Sequence, residues 1–92
     1  MNQIEKMIVE KLRNLCPEAE RFEVRGIIDR HAYSIEFYVI RNDEKKQCYE
    51  MIDRGELDGN SADDCFREIA EYVRNNSETA LPCKLSFIFS VE

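Results

Sequence analysis

The sequence predicts a single-domain α/β (α+β) two-layer sandwich, with a four-stranded, mostly antiparallel sheet and two helices on one face. Two segments show apolar residues at helical spacing, and four others alternate apolar and polar residues. The segments follow one another in the order α-β-β-β-α-β with short connections. A chain of 92 residues, 43% of them hydrophobic, can form one small core, so residues 1–92 are expected to make one domain.

The first helix is predicted over residues 4–15. Its apolar residues recur every three or four positions, as one stripe of a helix does. They are Ile4, Met7, Ile8, Leu12 and Leu15. Pro17 is expected to end the helix, because the residue before a proline is disfavoured in the helical region.

Three strands joined by short connections are predicted next. Residues 22–28 alternate at first, and residues 33–40 give the strongest strand pattern in the chain. A charged hairpin loop over 41–46 and a third strand over 47–52 then complete an antiparallel meander.

The second long helix is predicted to begin after a polar connection, residues 53–60, with Ser61 as its N-cap. Its apolar stripe runs from Ala62 to Val73, and Asn75 and Asn76 are expected to end it in a left-handed C-cap.

A last strand is predicted over residues 83–91. Because it follows a helical crossover, it is expected to run in the same direction as the third strand. The sequence leaves open whether it pairs with the first strand or the third. Four strand aromatics are assigned to the core rather than to a base-stacking platform, which would need basic surroundings. They are Tyr33, Phe37, Phe87 and Phe89.

Charge and composition exclude several classes of function. Thirteen basic residues stand against 19 acidic ones, so the net charge is −6 and nucleic-acid binding is not expected. No apolar run is long enough to span a membrane, and no signal peptide is visible, which predicts a cytoplasmic protein without a membrane partner. No two of the four cysteines have a C-x-x-C spacing, which predicts reduced thiols and neither a metal nor another cofactor.

No catalytic motif is evident, so the chain is not expected to be an enzyme. Phosphate-binding glycine loops are absent, and His31 is the only histidine. It lies in the turn predicted between the first two strands, where an exposed side chain is expected. A small enzyme using His31 and nearby acids stays open as an alternative, and would require a pocket around that residue.

The strongest functional feature is an acidic segment, residues 53–64, with five acids and one base, Arg54. The acids are Asp53, Glu56, Asp58, Asp63 and Asp64. A solvated loop followed by a helix N-terminus, whose dipole favours acids, explains two of them without any function. All five together also fit a surface that docks a basic protein. The two interpretations are weighted equally.

The pattern of elements resembles the YezG-like immunity proteins of bacterial polymorphic and contact-dependent toxin systems. The resemblance includes a first helix ending in Leu15-Cys16-Pro17, strands containing Phe22-Glu23-Val24 and Ser34-Ile35-Glu36-Phe37-Tyr38, and a third strand with a tyrosine. An acidic loop, a helix containing Asp64-Cys65-Phe66, Ile69 and Tyr72-Val73-Arg74, and a last strand containing Lys84-Leu85-Ser86-Phe87-Ile88-Phe89 complete it.

This resemblance implies an immunity protein, or antitoxin, that blocks a cognate bacterial toxin by stoichiometric protein–protein binding. The partner would be a basic toxin domain, commonly a nuclease. The five acids of residues 53–64 are the predicted partner-binding residues. The alternative is a small dimerisation or adaptor domain without a toxin partner, which would pair through an exposed sheet edge or face.

Overall fold

The computed structural model describes residues 1–91 and confirms the predicted fold class. Four strands form one sheet in the order β3-β2-β1-β4, and every pair of neighbours is antiparallel. The elements are α1 (Gln3–Leu15), β1 (Arg21–Ile28), β2 (Tyr33–Arg41), β3 (Glu44–Gln47), α2 (Cys48–Asp53), α3 (Gly59–Asn75) and β4 (Cys83–Ser90).

One face of the sheet and the apolar stripes of the two long helices form a single core. The sheet contributes alternate residues of its strands, because side chains of a strand point to opposite faces in turn. Phe22 and Val24 of β1 and Phe37 of β2 are completely buried there. They pack with Ile8 and Leu12 of α1 and with the buried stripe of α3. No helix of residues 1–91 packs on the other face of the sheet.

Helix α1 lies where the sequence predicts it. Asn2 caps its N-terminus: the Asn2 side chain accepts from the Glu5 backbone N–H, and the Glu5 carboxylate accepts from Asn2 N–H. This reciprocal pair satisfies two of the backbone donors that a helix start leaves free. The helix ends at Leu15, two residues before Pro17, as expected.

The third strand was predicted in the wrong place. Strand β3 covers only Glu44–Gln47, and the predicted strand residues 48–52 form helix α2 instead. The hairpin turn is only Asn42 and Asp43, both with positive φ, so the strand begins inside the predicted loop 41–46. Residues 48, 51 and 52 are apolar at the spacing of a helix. The same segment also reads as an alternating strand, and over six residues the two patterns cannot be distinguished.

Helix α3 also begins earlier than predicted, at Gly59. Its N-cap is Asp58 and not Ser61. The Asp58 carboxylate accepts from the backbone N–H and the hydroxyl of Ser61, at 2.9 and 2.8 Å. Asp is as good a cap as Ser, and here it stands three residues earlier. The helix ends at Asn75 as predicted, although the cap residue Asn76 has an extended rather than a left-handed backbone.

Strand β4 resolves the choice that the sequence left open, because it pairs with β1 over its full length. The predicted direction was wrong: β4 runs parallel to β2 and antiparallel to β3. The expectation assumed a crossover containing one helix. The connection from β3 contains α2 as well as α3, and the second helix reverses the direction in which the chain returns to the sheet.

The four strand aromatics differ in burial. Phe37 is completely buried, as predicted. The assignment of Tyr33 to the core was wrong, because Tyr33 begins β2 at the end of the sheet and is 40% exposed. Phe87 and Phe89 of β4 are only half-buried and pack at the border of the core. The outermost strand therefore leaves part of its apolar face accessible.

Candidate functional site

The five predicted partner-binding acids lie around the end of α2 and the start of α3, and we call this region the acidic surface: Asp53, Glu56, Asp58, Asp63 and Asp64. Asp53 ends α2, Glu56 lies in the connection, Asp58 caps α3, and the last two lie in the second turn of α3. All five residues are exposed. Helix α2 packs on β2 and β3, so the acidic surface is at the β3 side of the sheet.

Three of these acids also stabilise the fold. Glu56 pairs with Lys46 of β3 at 2.7 Å, and this contact holds the pKa of Glu56 below its usual value. The hydrogen bonds from Ser61 likewise lower the pKa of Asp58. Asp64 pairs with Arg67 one turn later in α3. The acids of the segment therefore include capping and ion-pairing residues that local structure explains.

Asp53 and Asp63 have no such role. Within residues 1–91, neither carboxylate forms an ion pair or a hydrogen bond with the rest of the chain. Both therefore keep their full charge available to another molecule. The sequence signal was charge density alone, which could not separate these two residues from the other three.

A cleft of about 420 Å³ adjoins the acidic surface at Glu56. Its apolar floor includes Ala19, Val39 and Leu57. Two ion pairs stand at its rim, Lys46–Glu56 and Arg41–Glu18. The cleft is thus an apolar hollow with charged walls. The sequence did not predict this cleft, because α1, β2 and the α2–α3 connection form it together.

Helix α2 is fixed to the sheet by contacts that satisfy backbone groups of β2. The Tyr49 hydroxyl donates to the carbonyl of Ile35 at 2.6 Å. The backbone N–H of Phe37 donates to Cys48 Sγ at 3.5 Å. The Tyr49 ring also lies 6.2 Å from the ring of Phe66 on α3. These contacts hold the start of the acidic surface rigidly against the core.

The open face of the sheet, which no helix of residues 1–91 covers, has a net positive charge, opposite in sign to that of the acidic surface. Four basic residues and two acidic ones point outward from it: Arg21, Arg25, Lys45, Lys84, Glu23 and Glu36. Lys45 Nζ lies 2.7 Å from a Glu23 carboxylate oxygen and 4.6 Å from the centre of the Tyr38 ring. Contact with Lys45 lowers the pKa of Glu23. The molecule is thus electrostatically polarised, with its negative charge concentrated on the helical side.

Within residues 1–91, the histidine and the cysteines do not come together in a catalytic or metal-binding cluster. His31 is exposed in the turn between β1 and β2 and lines none of the clefts described for residues 1–91. All four cysteines are free thiols. Burial raises the pKa of Cys16 and of Cys65 to about 11, so both are protonated near neutral pH. Over the same residues, no three His, Cys, Asp or Glu side chains are placed to hold a metal ion.

Two further findings bear on function. No helix within residues 1–91 has the length and apolarity needed to cross a membrane. No protein-family model, no curated protein and no solved structure matches this chain.

Proposed function

We propose that this protein is an immunity protein that neutralises a basic bacterial toxin domain, such as a nuclease, by stoichiometric binding through the acidic surface. The observation that carries the proposal is the exposure of all five carboxylates around the α2–α3 connection, with Asp53 and Asp63 left without a partner within residues 1–91. Such a field accelerates encounter with a positively charged protein and disfavours negatively charged ones.

The adjoining cleft supports the same interpretation. The negative potential of the carboxylates increases the rate and selectivity of association, whereas high affinity needs apolar contacts at a well-packed centre of the interface. The apolar floor beside Glu56 offers such a centre, and the Lys46–Glu56 and Arg41–Glu18 pairs offer a polar rim. Both lie on the same side of the molecule.

The first experiment is co-purification with the toxin encoded by the adjacent upstream reading frame, and protection of cells that express it. We expect a one-to-one complex and survival of the cells. Absence of both would reject the proposal. If the chain self-associates but binds no toxin, the dimerisation or adaptor function takes its place.

The second experiment tests the surface. The double substitution Asp53→Asn and Asp63→Asn removes charge without touching a cap or an ion pair. We expect the association rate with the toxin to fall about tenfold at low salt, and its salt dependence to weaken. Glu78→Gln is the control, because Glu78 is exposed on the loop before β4, away from the acidic surface. Equal rates for the double variant and the control would exclude the surface from docking.

A further inference from the structure

Strand β4 is an edge strand without the usual protection. Edge strands are commonly short, charged, bulged or covered, because their free backbone groups can pair with another chain. β4 is eight residues long, pairs with β1 without a break in register, and carries one charged side chain, Lys84. It is the last strand of the sheet on the side opposite β3.

The pairing with β1 shows which backbone groups of β4 are free. Val91 N–H donates to Glu20 C=O at 2.8 Å, in line with the β1–β4 register. In an antiparallel pair, hydrogen-bonded residues alternate along the strand. The odd-numbered residues of β4 therefore bond to β1. The backbone N–H and C=O of Lys84, Ser86, Ile88 and Ser90 point away from the sheet.

We propose that this edge binds a second copy of the same chain. The two β4 strands would pair antiparallel across a two-fold axis, with Phe87 opposite Phe87 of the second copy. Ser86 of each copy then faces Ile88 of the other, and Lys84 of each copy faces Ser90 of the other. Each of these pairs exchanges two hydrogen bonds, so this register satisfies every outward backbone group of β4. The two sheets would become one continuous sheet.

The side chains suit this register. On the core side, half-buried Phe87 would meet its own copy, and Leu85 would meet the half-buried Phe89 of the second copy. On the open side, Ile88 is 57% exposed and would be covered beside Ser86. Lys84 would face an uncharged serine, so no like charges oppose each other across the interface. The exposed apolar surface of β4 thereby gains a partner.

The charge distribution favours a second copy over a basic partner at this edge. Lys84 is the only charge on β4, so the strand itself offers nothing to steer a cationic protein. The shallow groove between α1 and Phe89 carries both signs, with Lys6, Glu10 and Arg13. The acidic surface lies at the opposite side of the sheet, so pairing keeps the two acidic surfaces apart and accessible.

The mass of the full chain as a function of concentration, by sedimentation equilibrium, is the first test. We expect it to rise from one chain to two. Ser86→Pro removes an outward N–H without removing a bond to β1, and proline is tolerated on the solvent side of an edge strand. The dimer dissociation constant should rise at least about tenfold in this variant, since each dimer loses two hydrogen bonds. Ser86→Ala keeps the N–H and should leave the constant within about twofold.

Ile88→Lys is the second variant, in case the proline disturbs the strand. The new lysine would lie opposite Glu23 within its own chain, so the fold is retained, while the edge becomes charged. We expect it to weaken the dimer at least as much as Ser86→Pro. Circular dichroism at a concentration where the chain is monomeric checks the fold of both variants.

Amide hydrogen exchange by NMR locates the interface. The amides of Ser86 and Ile88 should exchange at least about tenfold more slowly in a concentrated sample than in a dilute one. Those of Leu85 and Phe87, which bond to β1, should stay protected in both. A single chain at all concentrations would overturn the proposal, as would a dimer in which Ser86 and Ile88 stay unprotected. Neither result bears on toxin binding, which depends on the other side of the sheet.

Discussion

The two edges of the sheet, at β3 and at β4, which we call its margins, differ in how their backbone groups are bonded. At the β3 margin the strand stops after four residues, and side chains of α2 take over: Cys48 and Tyr49 bind the β2 groups that β3 no longer reaches. At the β4 margin an eight-residue strand ends the sheet with nothing beside it in the described chain. Helix α2 thus shortens the free edge at the first margin to the four residues of β3, whereas at the second margin the outward backbone groups of an eight-residue strand have no partner within residues 1–91.

The difference shows that a short helix can take over backbone groups of a sheet where its edge strand stops. The first turn of α2, with one hydroxyl and one thiol, satisfies two backbone groups of β2, because it places polar atoms within reach of them. The β4 margin has a better apolar strand and no such device. The acidic surface lies at the β3 margin and the free edge at the β4 margin, so the two proposed interactions would not compete.

The largest difference between the two margins is expected in the aromatic cluster. Phe37 contacts Phe22 at 6.2 Å and Phe66 at 5.9 Å between ring centres, and is completely buried. Phe37→Ala should lower the free energy of unfolding by about 3–5 kcal/mol. Phe87→Ala should cost about 1–2 kcal/mol in the monomer, since part of that ring is already in water. Urea unfolding at low protein concentration measures both, and equal losses would contradict the comparison.

The contribution of α2 to the β3 margin can be tested by removing one hydroxyl group, that of Tyr49. Tyr49→Phe leaves the Ile35 carbonyl without its donor and should lower the free energy of unfolding by about 1 kcal/mol. Tyr72→Phe is the matched control, because Tyr72 is an exposed residue of α3 whose hydroxyl makes no hydrogen bond within residues 1–91. If the two variants were equally stable, the hydroxyl would not contribute to closing this margin.

The smallest effect is expected from the Lys45–Glu23 ion pair, which joins β3 to β1 across the open face of the sheet. Contact with Lys45 lowers the pKa of Glu23 from 4.5, so the folded state holds this proton more weakly than the unfolded state does. The stabilisation is therefore complete above about pH 4.5 and is lost as the pH falls through the lowered value. Unfolding midpoints of wild type and Glu23→Gln should differ at pH 7 and converge in acid. A constant difference would assign the effect to packing, and added salt should reduce it.

Long periodic segments were predictable from the sequence. The stripes of α1 and α3 repeat over eleven or more residues, so the helical period is well defined there. The alternation in β2 fixed both its position and its buried face. The acidic segment 53–64 was visible as charge, but its division into capping, paired and free carboxylates was not. That division depends on where Lys46, Ser61 and Arg67 are placed in space.

The sequence by itself determined the fold class, the two long helices and which face of β1, β2 and β4 enters the core, because local periodicity sets all of these. Tertiary structure decided the rest. Residues 48–53 fit a strand or a helix by pattern, and contacts with β2 select the helix. The neighbour of β4 is a choice between distant segments, made by the packing of the whole sheet. The burial of Phe87 and Phe89 follows from that choice, since an edge position has a neighbour on one side only.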